Sequence, residues 1–218
     1  MQLTPVQVRI LGCLIEKERT TPDNYPLTMN GLLAACNQST NRYPVVTFTE
    51  PTVSNALLNL RGDNLLRIDY SRSNRADKYR HVLDQVLDVD DAEIALLAVL
   101  MLRGPQTGAE LRTRTERMHA FPDQGAVDAT LARLAARPEP LVVRLAPMPG
   151  QKEARWAHLL SGDVSPEDLP AVSPAPNTSS RTERIEALEA AVAELTTELK
   201  QLRADHDALI GRLDDLLG

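Results

Sequence analysis

Residues 49–83, TEPTVSNALLNLRGDNLLRIDYSRSNRADKYRHVL, decide the fold. Thr49 suits a helix cap, and Pro51 sits in the first turn, where a missing N–H costs nothing. Val53, Ala56, Leu57 and Leu60 recur at i, i+3, i+4 and i+7 and make one apolar face, with Thr52, Asn55 and Asn59 on the other. Leu66, Ile68 and Tyr70 then alternate, as do Tyr79, His81 and Leu83, which predicts two half-buried strands. Between them Ser71 to Ala76 offers no apolar anchor. A helix followed by a basic β-hairpin is the reading half of a winged helix-turn-helix.

Two elements are expected before it. Thr4-Pro5-Val6-Gln7 is a capping box that opens a helix running to about Glu18, with Val6, Ile10, Leu11, Leu14 and Ile15 inward. Pro22 and Pro26 make the next segment irregular, and a second helix covers Met29 to Cys36. Residues 37–47 form a polar connection longer than a minimal helix-turn-helix turn.

After Leu83 the pattern restarts. Asp90–Glu93 caps an apolar run that Gly104-Pro105 ends, and Thr107–Glu110 opens a helix to about Met118. Asp123 caps the next helix, and strands follow at 141–145 and 155–160. Residues 53–60 (VSNALLNL) match 127–134 (VDATLARL), and 78–83 (KYRHVL) match 155–160 (RWAHLL). The same order of basic, aromatic, histidine and apolar residues marks an internal repeat; the alternative is coincidence between amphipathic segments. The expected architecture is therefore mainly α with small β-hairpin wings. Two tandem winged-helix domains, 1–84 and 85–162, precede a Pro/Ser-rich linker at 163–180 and a coiled-coil helix at 181–218.

That last helix carries Ile185, Leu188, Val192, Leu195, Leu199, Leu202, His206, Leu209, Leu213 and Leu216 at alternating spacings of three and four. Leucine at every d position, with Ile185 and Val192 at a, favours a parallel two-stranded coil and hence a homodimer; His206 is the polar break in the seam. The alternative is a helix folded back on the body.

Several segments resemble the YceH-like family of bacterial proteins. They are Thr20–Thr28, Ala35–Arg42, Lys78–His81, Leu102–Arg112, Arg117–Phe121 and Pro149–Glu153. The resemblance spans about residues 3–162 and implies two tandem winged-helix domains; the family's biochemical function is uncharacterised, so it supplies no activity.

The net charge of −6 argues against an indiscriminate nucleic-acid coat, but the charge is uneven. Residues 1–83 hold ten Lys/Arg against seven Asp/Glu, whereas 84–162 hold nine against eleven. The first hairpin is the richest patch: Arg67, Arg72, Arg75, Lys78 and Arg80 meet only Asp69 and Asp77. Wing arginines reach phosphates or a minor groove, and Thr52, Asn55 and Asn59 suit base edges. Arg42 in the polar connection is a further candidate. The second repeat reads DNA less well, since Asp123 and Asp128 oppose Arg133 on its third helix and Arg112, Arg114 and Arg117 are matched by Glu110 and Glu116.

No phosphate loop, nucleophile elbow or zinc-ligand spacing occurs, so neither an enzyme nor a cofactor or metal site is expected. Cys13 and Cys36 fall inside predicted helices and read as reduced packing residues. His81 and His158 read as structural groups bonding backbone across their hairpins. No run approaches the roughly 20 apolar residues of a membrane span, and the amphipathic N-terminus is not a signal peptide, which places the chain in the cytoplasm. The expected function is a dimeric DNA-binding protein of regulatory or chromosome-associated role, acting through the first domain. The competing reading is a non-enzymatic adaptor whose winged helices bind protein partners.

Overall fold

The computed structural model describes residues 2–70, 76–147 and 153–162. These fall within one compact unit. The tail, with its heptad positions Ile185 to Leu216, the linker, and Arg72 and Arg75 at the first hairpin's tip lie outside the described residues.

Helix α1 (Pro5–Thr20) starts at Thr4, where the threonine hydroxyl accepts from the Gln7 N–H and the Gln7 side chain accepts from the Thr4 N–H. Strand β1 (Leu27–Thr28) leads into α2 (Met29–Cys36), whose cap is the Thr28 hydroxyl. Helix α3 (Glu50–Gly62) follows the long connection, then strands β2 (Leu66–Asp69) and β3 (Lys78–His81). The strands form an antiparallel sheet in the order β1-β3-β2. A short helix α4 (Leu83–Leu87) leads to α5 (Asp91–Arg103), α6 (Gly108–Thr115) and α7 (Gln124–Ala135), and the antiparallel pair β4 (Val142–Leu145) and β5 (Arg155–His158) closes the series.

Three expectations shift in detail. The strand expected to reach Leu83 stops at His81, because Val82 turns the backbone (φ −136, ψ 26) and Leu83 begins α4. Tyr70 lies beyond β2 and is exposed. The helix expected to reach Met118 ends at Thr115, whose carbonyl accepts from both Met118 N–H and His119 N–H, a tightened last turn.

The repeat is legible in the strand register. His81 pairs with Leu66, and His158 with Val142; Tyr79 faces Ile68 and Leu27, and Trp156 faces Arg144 and Gln106. The isolated Gln106–Trp156 bridge thus occupies the place of β1.

The two repeats share one apolar cluster. Helix α5 is buried from Glu93 to Leu102, and α1 from Gln7 to Ile15. Such all-round burial needs neighbours on every side. They approach closely at Gly12, where a Cβ would stand 3.0 Å from Leu102 Cγ and 3.2 Å from Met101 Cβ. The boundary expected near residue 84 is therefore crossed by continuous packing. The Leu3 N–H also donates to the Leu160 carbonyl at 2.7 Å, joining the start of the first repeat to the end of the second.

Gly12→Val should destabilise the fold by about 1–3 kcal/mol, the range for overpacking a filled core, despite its gain over glycine in side-chain burial. Urea denaturation measures this, and an unchanged midpoint would contradict the close crossing.

Candidate nucleic-acid interface

Helix α3 is anchored by Val53, Ala56, Leu57 and Leu60, all buried, so its opposite face is presented outward. The Thr49 and Thr52 hydroxyls hydrogen-bond at 2.9 Å in the first turn, and Thr52 is half-buried. Asn55 and Asn59 are exposed one turn apart. Leu58, 62% exposed, sits among these amides as an apolar patch. The first turn holds the acid Glu50 and the last turn the base Arg61.

The hairpin register sorts the charges. Arg67 stands opposite Arg80, and Asp69 opposite Lys78, so all four share one face; Leu66, Ile68, Tyr79 and His81 take the other. Like charges directly opposite are unfavourable. Asp69 relieves this in part, accepting from Arg80 Nε at 3.3 Å. Arg67 is exposed, and it shares a shallow cleft with Arg61, Asn64 and Tyr70 between the end of α3 and β2. Arg61 was not singled out by the sequence. The usable signal was its place at the helix end closest to the hairpin.

Arg42 is not available to a ligand. Its side chain is fully buried and every guanidinium N–H is used. Nε donates to the Ala35 carbonyl, Nη1 to the Asn41 carbonyl and Glu16 Oε1, and Nη2 to Gln38 Oε1 and Glu16 Oε2 at 2.6 Å each. The long connection after α2 is thereby tied to α1. This corrects the expectation of a phosphate contact: a bidentate carboxylate partner already fills the fork.

In the second repeat Arg112, Arg114, Arg133 and Arg155 are also engaged. Arg133 on α7 donates to Asp90 and Glu93, at 2.9 and 3.2 Å, and Arg155 donates to Glu110 and the Pro105 carbonyl. Arg114 pairs with Glu110 at 3.5 Å, and Arg112 donates to the Pro122 carbonyl. Asp128 takes a hydrogen bond from Gln124.

The paired histidines differ. His81 is buried; Nδ1 accepts from the Leu83 N–H, which leaves the Nε2 proton for Glu18 Oε2 at 2.8 Å. The partner expected across the hairpin is thus a carboxylate on α1. Burial raises the Glu18 pKa, but the hydrogen bond from His81, with the neighbouring charges of Arg19 and Arg80, outweighs it and holds that pKa below the usual range. His158 Nδ1 is buried without a partner among the described residues, and burial pushes the imidazole down to about 4. Among the described residues no group of three or more His, Cys, Asp or Glu is placed to hold a metal ion, and no helix is long and apolar enough to cross a membrane.

A family model described as "Protein of unknown function, DUF480" matches residues 3–151. A UPF0502 protein of Geobacter sulfurreducens is 50% identical over 197 residues, 88% of this chain and 90% of its own length. A UPF0502 protein of Burkholderia pseudomallei (strain 668) is 45% identical over 206 residues, 93% of this chain and 86% of its own. The UPF0502 protein YceH of Salmonella paratyphi B is 45% identical over 208 residues, 93% and 97% respectively. None of these descriptions carries an activity.

Arg42→Met should cost about 3–5 kcal/mol of stability, the range for breaking a buried pair, because Glu16 would lose its bidentate partner. Chemical denaturation reads this directly, and a loss under about 1 kcal/mol, as for a surface pair, would remove Arg42 from its structural role.

Proposed function

We propose, for a chain that belongs to the DUF480 family of proteins of unknown function, that it binds double-stranded DNA through the first of two tandem winged-helix units. In this reading α2, α3 and the β1-β3-β2 sheet form the first unit, and α6, α7 and the β4-β5 pair form the second. The observation that carries the proposal is the shared face of Arg67, Lys78 and Arg80, continuous through Arg67 with Arg61 at the end of α3. Arg67 and Arg80 face each other across the hairpin, and among the described residues Asp69 is the carboxylate bonded to them. A phosphate would supply the missing counter-charge. Thr52, Asn55 and Asn59 then meet base edges, where the asparagine amide suits adenine. Arg72 and Arg75 at the hairpin tip extend the same patch by sequence.

A second reading, an adaptor that binds protein partners, is favoured by exposed Leu58 on the same helix and by the engaged cations of the second repeat. A salt series separates the two. The intact protein should bind a short mixed-sequence duplex with a steep log–log salt dependence. Arg61→Ala and Arg67→Ala should each reduce the slope by about 0.9, the effect of one phosphate no longer neutralised. Asn55→Ala should leave the slope unchanged while reducing discrimination between sites by about 1–3 kcal/mol. Absence of salt-dependent binding would overturn the DNA reading in favour of the adaptor.

We further propose that the chain is a homodimer through the heptad helix at 181–218, the support being the unbroken a/d spacing from Ile185 to Leu216. Sedimentation equilibrium at micromolar concentration should give a dimer. Leu195→Glu with Leu209→Glu, which puts like charges at two d positions, should give a monomer. A monomeric wild type would end this proposal.

A further inference from the structure

Where the two repeats meet, the first turns of α1, the Tyr43-Pro44 connection, the end of α5 and β5 enclose a cleft of about 680 Å³. That is the size of a small-molecule site, about 300–1,000 Å³. Val8, Pro44, Leu100, Met101, Pro105 and Ala157 supply apolar wall. Gln2, Thr4, Tyr43 and Ser161 also line it, and Arg9 and His158 bring its two basic side chains.

Arg9 is 4% exposed. Nη1 donates to the Cys36 carbonyl at 3.0 Å and Nη2 to the Pro44 carbonyl at 2.6 Å. Among the described residues no carboxylate lies within 4 Å of it, whereas nearby Arg42 has Glu16. Burial pushes the Arg9 pKa down, and the neighbouring Arg42 charge acts in the same direction. Arginine keeps its proton regardless, so the site holds a buried cation whose hydrogen bonds go to two carbonyls and, among the described residues, to no carboxylate. His158 shows the same incompleteness. Its repeat counterpart His81 uses both ring nitrogens, while His158 has no partner for Nδ1 among the described residues.

From this cleft, with a guanidinium that has no carboxylate partner and an imidazole whose Nδ1 has no partner among the described residues, we propose a binding site for a small amphipathic carboxylate. Its carboxylate lies against Arg9 and the His158 N–H, and its hydrocarbon body lies on Val8, Leu100, Met101 and Ala157. Charge complementarity selects the anion, since the bound carboxylate supplies the counter-ion that Arg9 lacks. The apolar wall selects against a bare inorganic anion. The inference does not rest on DNA binding; it concerns the cleft between the repeats and holds for an adaptor equally.

The chain has a single tryptophan, Trp156, two residues from His158 on β5, which gives an intrinsic fluorescence probe. Intact protein is titrated with octanoate, octan-1-ol and inorganic phosphate, with isothermal titration as the second readout. Octanoate should bind saturably, at least about tenfold more tightly than either control, a difference of about 1.4 kcal/mol. His158→Phe keeps the ring shape without its nitrogens, and Ser161→Trp fills the cleft. Each should weaken octanoate at least about tenfold while its thermal melt stays cooperative. Arg9→Lys, which keeps the charge but loses the fork, should also weaken it; if that variant fails to fold, the other two decide. Absent saturable octanoate binding, octanol or phosphate binding as tight as octanoate, or unchanged affinity in a folded His158→Phe and Ser161→Trp pair would overturn the proposal.

Discussion

The crossing of α1 and α5 at Gly12 is the constraint from which the other arrangements follow. With no side chain at that position, the Leu102 and Met101 side chains reach the α1 backbone, and the apolar surfaces of both helices merge into one cluster. Once α1 is pinned there, its remaining directions are assigned. Arg9 supports the end of α2 and Pro44, Glu16 holds the connection through Arg42, and Glu18 receives His81 from β3. Arg19 reaches Asp91 at the start of α5 at 2.6 Å, and this hydrogen bond holds the Asp91 pKa below its usual range. These four side chains reach α2 and the connection after it, β3 and α5, which fixes the rotation of α1 as well as its position.

The same arrangement divides the positive charge of the first repeat into two populations. Arg9 and Arg42 are structural, buried and shared with backbone carbonyls. Arg61, Arg67, Lys78 and Arg80 remain toward the solvent side of α3 and its hairpin. A count of charges along the chain treats both populations alike and so overstates the basic surface. The smaller exposed set is more informative, because the antiparallel register gathers three of its cations on one face of one hairpin.

Local chemistry made much of the fold readable. The caps at Thr4, Asp90, Thr107 and Asp123 form as hydrogen bonds, Thr49 takes its cap position with its hydroxyl on Thr52 and no cap bond to the backbone, and the apolar faces of α3 and α7 point inward as their spacing requires. What escaped depends on partners distant in sequence. Strand β1 has two residues and exists because Leu27 and Thr28 meet Tyr79 and Lys78. Leu83 continued a two-residue alternation although the chain had already turned at Val82. Arg42 looked like a loop cation because Glu16 lies on a different helix. Of the candidate interface, the hairpin charges and the outward asparagines of α3 were legible, while the burial of Arg42 and the placing of Arg61 beside Arg67 were not. The repeat equated His81 with His158, yet only packing distinguishes the one that found a carboxylate from the one that did not.

The hydrogen bond from Leu3 to Leu160 has a consequence for the order of events during synthesis. At about 5–20 residues per second, Leu160 is added roughly 8–31 s after Leu3. Helix α5 is likewise made well after α1, so the first repeat emerges with one flank of its central helix uncovered. That flank gains its α5 packing only once the second repeat is translated. Throughout that interval the flank of α1 around Gly12 is an apolar surface open to holdase chaperones. A ribosome stalled between the repeats therefore leaves a nascent chain whose first helix has no final place to pack.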